Sequence, residues 1–165
     1  MSADKPKILL SEGSSLSSRE AITALGLAGH QVELVSSDPM CLGRFSRFVS
    51  RVHPAPASGA DPDGYLAAVL EAIAGSRIDA LLPVHEQAYL FAAARRQLPS
   101  NVGIALADFA AFEQVQSKAG LAELLTRLKV PQPKTDIVRS ADEFAADRPF
   151  PFFVKAAFGT CTSLQ

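Results

Sequence analysis

The chain has 165 residues, 48% hydrophobic and 20% charged, and its 16 basic and 17 acidic side chains leave a formal net charge of -1. That apolar share builds a substantial core and excludes wholesale disorder, which needs few apolar residues and a large net charge. Balanced charge without a basic stripe argues against nucleic acid or a lipid surface as partner, and no apolar run approaches the roughly 20 residues of a membrane span.

Polar residues 1–7, MSADKPK, lead into a strand without a signal peptide. Lys7-Ile8-Leu9-Leu10 is that strand, ended by the turn-rich Ser11-Glu12-Gly13-Ser14-Ser15. A helix follows with Ala21, Leu25 and Ala28 on one face, Ser17 and Glu20 at capping-box spacing, and Gly29 as its stop. Val32 to Val35 is a second strand, so the opening is a β-α-β unit, the crossover that a parallel pair requires. Residues 49–53 read as a weak strand. Asp61-Pro62 starts a helix with Tyr65, Leu66, Val69 and Ile73 on one side and Gly75 at its end; Pro62 suits the first helical position. Residues 78–84 form an apolar strand of the kind covered on both faces. A helix over 86–98 and a strand over 102–105 complete the pattern.

After Leu106 the rhythm changes. A short helix over 109–115 precedes a longer one over 118–128, which Pro131 and Pro133 end. Strand-like residues 135–138, a helix from Ser140 with Glu143 as its capping-box partner, and a strand over 151–155 follow. The expected organisation is an α/β, Rossmann-like parallel-sheet domain over 1–110 and the start of an α+β domain over 111–165. So few elements bury little interior, so the second unit is expected to be incomplete and the natural protein to continue beyond Gln165. Phe150, Phe152 and Phe153 are then available for homodimerisation or swapping. Two cysteines, Cys41 and Cys161, make no disulfide framework and fit a reducing compartment, so a cytoplasmic location is expected.

Three stretches together resemble the N-terminal portion of ATP-grasp superfamily ligases, the biotin carboxylase and carbamoyl phosphate synthetase large-chain type. They are KILLSEG with GHQVELVSSDP, then SKAGLAELLTRLKVPQPKT over 117–135, and FPFFVKAAFGTCTS over 150–163. The resemblance implies a pre-ATP-grasp domain followed by the beginning of the ATP-grasp domain. It implies that Lys118 reaches nucleotide phosphates from the head of its helix, that Lys155 meets the α-phosphate side of ATP, and that Gly159, Thr160, Thr162 and Ser163 belong to the loop over the β- and γ-phosphates. Where the family has Asp before the first lysine this chain has Ser117, and its loop keeps only Gly159 among small residues. The adenine hinge and the acidic Mg2+ ligands are expected beyond residue 165.

Read without the resemblance, Lys155 closes an apolar strand just before Gly and hydroxyl residues. That suits a mobile point charge for polyphosphate, or a strand-end lysine whose stem covers apolar surface. Lys118 at a helix head is tolerable beside an anion, or is an ordinary surface lysine. Glu12-Gly13 follows the first strand, where α/β folds bind ligands; it is also a plain strand-to-helix turn, and it lacks the G-x-G-x-x-G of dinucleotide sites. His85 and Glu86 end another strand and are assigned to the substrate side, with a structural role for Glu86 in a first helical turn as the alternative. Arg44, Arg47 and Arg51 with Phe45 and Phe48 form an aromatic-basic cluster: a seat for an anionic substrate, or solvent-facing arginines beside core phenylalanines. No residues have metal-ligand spacing, and Cys161 has no neighbouring histidine to make it a nucleophile.

By resemblance the parent protein is an ATP-dependent ligase that uses ATP and Mg2+ to phosphorylate a small-molecule carboxylate, from which an amine or another nucleophile displaces phosphate. The chain alone is expected to be inactive. The alternative is a non-catalytic Rossmann-like nucleotide or small-molecule binding module.

Overall fold

Successive side chains of a strand point to opposite faces, and in the leading strands both sets are apolar. Leu9, Val35 and Leu81 enter a core with Tyr65, Leu66, Val69, Ile73 and Phe91. Ile8, Leu10, Val32 and Leu34 pack with Ile22 and Cys41 instead. A sheet apolar on both faces has to be covered on both by helices, which is the condition of parallel α/β folds.

The computed structural model describes residues 5–144 and 151–158, and the chain divides into two compact units, Met1–Ala107 and Asp108–Gln165. The first contains β1 (Lys7–Leu10), α1 (Leu16–Leu27), β2 (Gln31–Ser36), a 3-10 turn (Leu42–Phe45), β3 (Val49–Pro54), α2 (Pro62–Ser76), β4 (Ala80–Leu82) and α3 (Gln87–Ala93). The strands form one four-stranded sheet in the order β3-β2-β1-β4, and every pairing is parallel. Leu9 stands between Glu33 and Leu81 in the register. The strand expected over 102–105 is reduced to one bridge, Ala80 with Gly103, although Gly103 still exchanges two hydrogen bonds of 2.8 Å with Asp79 and Leu81.

Helix ends differ from the spacing-based expectation for identifiable reasons. Ser15, not Ser17, caps α1, its hydroxyl accepting from the Ser18 N–H at 3.0 Å. Asp61 caps α2 through the Gly64 N–H at 2.9 Å, with Pro62 in the first turn as expected. Gly75 lies inside α2, and Arg77 takes the left-handed closing position at φ 54°. A side chain in that region strains the backbone where glycine does not. Arg77→Gly is therefore expected to stabilise the leading unit by about 0.5–1 kcal/mol, read as a higher urea midpoint; a lower midpoint would contradict it. The expected helix over 86–98 shortens to α3, which ends at Ala93.

One polar group lies deep in this unit. Glu33 on β2 is 3% exposed, with Lys7 Nζ at 3.3 Å and His53 Nε2 at 2.6 Å. A carboxylate oxygen only accepts, so His53 Nε2 carries the hydrogen. Lys7 Nζ also donates to the Ser76 carbonyl at 2.9 Å. Burial acts to raise the Glu33 pKa, but bonds from His53, Ser76 and Lys7 outweigh it and hold the carboxyl below its ordinary value. One buried charge thus ties β1, β2, β3 and the end of α2 together.

The second unit contains α4 (Phe109–Gln116), α5 (Lys118–Arg127) and a 3-10 turn (Ala141–Glu143). Asp108 caps α4 and Ser117 caps α5. The junction needs a glycine at position 120, since a Cβ there would stand 2.8 Å from the Gln114 carbonyl oxygen. Residues 135–138 and 151–155, expected as strands, are not paired as strands. The helix expected from Ser140 is the single 3-10 turn, and Glu143 reaches back to the Arg139 N–H at 2.8 Å rather than to Ser140. Phe152 packs on Phe144 at 5.8 Å between ring centroids, whereas Phe153 is 90% exposed; Phe150 lies outside the described residues. Among the described residues, no helix is long and apolar enough to cross a membrane.

Candidate functional site

The carboxyl edge of the leading sheet is built around Ser11, the first residue after β1. Its backbone N–H continues the pairing to the Leu82 carbonyl at 3.2 Å. Beyond that point the side chain takes over: Ser11 Oγ accepts from the Val84 N–H at 2.7 Å and donates to the Val84 carbonyl at 3.2 Å. Tyr65, from α2, donates its hydroxyl to the Ser11 carbonyl. Burial raises the Tyr65 pKa, and the nearby Glu12 charge adds to it against that hydrogen bond, so the phenol stays a donor. These bonds fix the segment that delivers His85 and Glu86 to the edge. Both are exposed; His85 has φ 59°, and Glu86 precedes α3 without a side-chain capping bond. A non-glycine residue in the left-handed region is uncommon and is found disproportionately at functional sites.

Glu12 and Gly13, also expected on the substrate side, make their bonds within their own loop and the adjoining helix and turn. The Glu12 carboxylate accepts from the Ser14 N–H at 2.6 Å and the Ser15 N–H at 3.1 Å, and from the Ser15 and Ser18 hydroxyls. It therefore occupies the anion position at the start of α1. Burial acts to raise its pKa, yet the two hydroxyls and two amides prevail and lower it. Gly13 is buried, and a Cβ there would stand 2.9 Å from both Cys41 Sγ and Leu34 Cδ1. Its carbonyl accepts from the Gly43 N–H at 2.7 Å, pinning the 3-10 turn to the loop after β1. These two residues shape the edge from within; His85 and Glu86 present side chains on it.

In the second unit the geometry centres on the head of α5. The first N–H groups of a helix have no partner inside it. Here the Ser117 hydroxyl takes the Gly120 N–H at 3.1 Å, and the Ala157 carbonyl takes the Lys118 N–H at 2.8 Å. The second bond lays the segment carrying Lys155 against the helix head, and two residues of chain put the Lys155 Cα within about 7 Å of the Ala157 Cα. Both lysines are exposed, and Lys155 has no carboxylate within salt-bridge distance among the described residues. Gly159, Thr160, Thr162 and Ser163, like Cys161, lie outside the described residues. Among the described residues no group of three or more His, Cys, Asp or Glu is placed to hold a metal ion.

Sequence reasoning missed Ser11 and placed Tyr65 only on an apolar helix face. The available signal was chemical: a buried tyrosine hydroxyl needs a partner, and a serine directly after an apolar strand offers one. Of Arg44, Arg47 and Arg51, Arg47 is stacked 4.8 Å over the Phe48 ring. Phe45 is not a core residue, being 67% exposed, while Phe48 is partly buried against the α1 side of the core.

No family model and no curated protein matches the chain. Among solved structures it is similar to an L-amino acid ligase from Bacillus licheniformis, with a TM-score of 0.61 and 17% identity over 78% of this chain and 32% of that one. It is also similar to the biotin carboxylase domain of a single-chain bacterial carboxylase, with a TM-score of 0.60 and 21% identity over 84% of this chain and 33% of that one. The chain thus spans about a third of each. Its mixed α/β architecture around an all-parallel sheet is the fold found in part of these ATP-grasp ligases.

Proposed function

We propose that this chain is the N-terminal portion of an ATP-dependent ligase that joins a small-molecule carboxylate to an amine, or to another nucleophile, through an acyl-phosphate. The observation that carries the reading is the 2.8 Å bond from the Lys118 N–H to the Ala157 carbonyl. It joins the two segments that the resemblance assigns to one polyphosphate. ATP would supply the phosphoryl group that activates the carboxylate, with Mg2+ sharing its charge. Lys118, in the first turn of α5, adds its ammonium to the positive end of the helix dipole. Lys155 approaches as a second cation, and together they neutralise charge that grows on the transferring group. Gly159, Thr160, Thr162 and Ser163 complete the phosphate cradle in this reading. Acceptor contact falls to His85 and Glu86, with Glu12 and Gly13 holding the shape of the edge behind them.

Titration of the isotope-labelled 165-residue chain with Mg-ATP is expected to shift amide resonances of residues 117–120 and 155–158. The Lys118→Met/Lys155→Met double variant is expected to bind at least tenfold more weakly. Shifts confined to other residues, or equal binding by the double variant, would remove the two lysines from the site and favour the non-catalytic module. The chain alone is expected to release no phosphate from ATP in the presence of amino acids, because it spans only 32% of the ligase it is similar to. Turnover by the isolated chain would overturn its assignment as one portion of the enzyme.

A further inference from the structure

A loop and a helix that follow the two outermost strands of the leading sheet meet at one side chain. β3 and β4 lie at opposite ends of the strand order. Yet Gln87 Nε2, from the first residue of α3, donates at 3.5 Å to Ser58 Oγ in the loop between β3 and α2. Gln87 follows directly on His85 and Glu86. Its other amide atom, Oε1, is the one buried side-chain nitrogen or oxygen without a hydrogen-bond partner among the described residues.

We infer that Gln87 is a further binding residue of the acceptor side, one that selects an amine: the turn over 56–60 lifts, and Gln87 Oε1 accepts an N–H of the amine substrate. The identity of that substrate rests on the ligase reading. An amide oxygen only accepts, and burying it without a donor costs free energy, which a bound donor offsets. A protonated amine carries N–H donors and no acceptor. A carboxylate or phosphate oxygen has no hydrogen to give when ionised and would meet Oε1 lone pair against lone pair. The same atom therefore rejects the anionic partners of the reaction. Glu86, exposed one residue before, adds a negative charge that favours a cation at this rim.

The cover over Gln87 is thinly held. Its bond to Ser58 is at the long limit of hydrogen bonding. The Ala57 carbonyl takes the Ala60 and Asp61 N–H groups, both at 3.0 Å, so the loop closes on itself as a turn. Pro56, Ala57, Gly59 and Ala60 are exposed, and a Cβ added at Gly59 would meet nothing within 4 Å. Sparse packing of this kind marks a segment that opens at low cost. Both ends are fixed, by the Ala55 N–H bond to the Ser36 carbonyl at 3.1 Å and by the Asp61 cap on α2. The turn can thus lift while sheet and helix stay in place.

The test is a nuclear magnetic resonance titration of the 165-residue chain at neutral pH and constant ionic strength. The probes are ethylammonium, which has N–H donors, and tetramethylammonium, which has the charge without them. Saturable shifts of the Gln87 side-chain amide and of the Ser58 and Gly59 backbone amides are expected with ethylammonium, and binding at least tenfold weaker with tetramethylammonium. Gln87→Met, which keeps the length and removes the acceptor, is expected to weaken ethylammonium binding at least tenfold, read at Ser58 and Gly59; Gln87→Glu is expected to retain it. Because the lost oxygen had no partner, the urea midpoint of Gln87→Met should equal or exceed that of wild type, whereas a merely structural glutamine would lower it. No saturation with ethylammonium, equal binding of the two cations, equal binding by Gln87→Met or a lowered midpoint would overturn the role of Gln87. Each of these results leaves the Mg-ATP shifts at residues 117–120 and 155–158 intact, so failure here is told apart from failure of the ligase reading.

Discussion

Replacing Glu33 with alanine is expected to destabilise the leading unit by about 2–4 kcal/mol. The removed carboxylate is the common partner of Lys7 and His53; its loss leaves the His53 Nε2 hydrogen without its acceptor and Lys7 with the Ser76 carbonyl alone. The cost falls toward the lower end of losses for buried pairs because the Lys7 side chain is 27% exposed and regains water. Glu33→Gln keeps the shape and removes the charge, which makes the effect a function of pH. The folded carboxyl titrates below its ordinary value, so its contribution is complete above the unfolded carboxylate pKa of about 4 and disappears as pH falls through the folded value. The stability gap between wild type and Glu33→Gln, from urea unfolding at neutral and at acid pH, is therefore expected to be widest at neutrality and to close below about pH 4. A gap independent of pH would mean that the charge contributes nothing.

Phe91→Ala is expected to cost more, about 3–5 kcal/mol. Phe91 is fully buried, the largest side chain so enclosed, and joins α3 to the core formed by Leu9, Tyr65, Val69 and Leu81. Its ring lies 6.1 Å from that of Tyr65, whose hydroxyl holds Ser11. The cavity would thus loosen the support of the sheet's carboxyl edge as well as the core. Domains of ordinary stability have only about 5–15 kcal/mol to lose. Phe45→Ala, at a site 67% exposed, should change stability by less than about 0.5 kcal/mol. Similar urea midpoints for the two variants would show that Phe91 does not fill the core as described.

The β1-α1-β2 opening and α2 were legible because hydrophobic period, Asp61-Pro62 and Gly29 all pointed to the same elements. Gly29 indeed closes α1 at φ 82°. The Ser17–Glu20 box failed because a nearer arrangement wins: Ser15 sits beside Glu12, whose carboxylate already collects the amides at the start of α1. Pairwise spacing does not report such competition. The runs at 135–138 and 151–155 have the β-branched and aromatic residues of strands, but a strand requires a ladder partner, and none of the described segments pairs with them.

For the candidate sites, the two lysines were legible as cations at element ends, whereas their association through Ala157 depends on a backbone bond spanning 39 residues of sequence and leaves no local signature. Arg44, Arg47 and Arg51 were visible only as an aromatic-basic cluster. Periodicity could not show that Arg47 would leave it for the face of Phe48.

Strands β1 and β4 of the leading sheet part company at a serine hydroxyl, not at a peptide group. A peptide there would lock the separation, since opening it would mean unzipping the sheet. A hydroxyl can rotate about a single bond and release Val84 while the ladder below remains intact. On the proposed reading of this rim as the acceptor side, the segment that carries His85 and Glu86 can therefore breathe by one rotor, and a bulkier guest enters without disturbing the scaffold beneath.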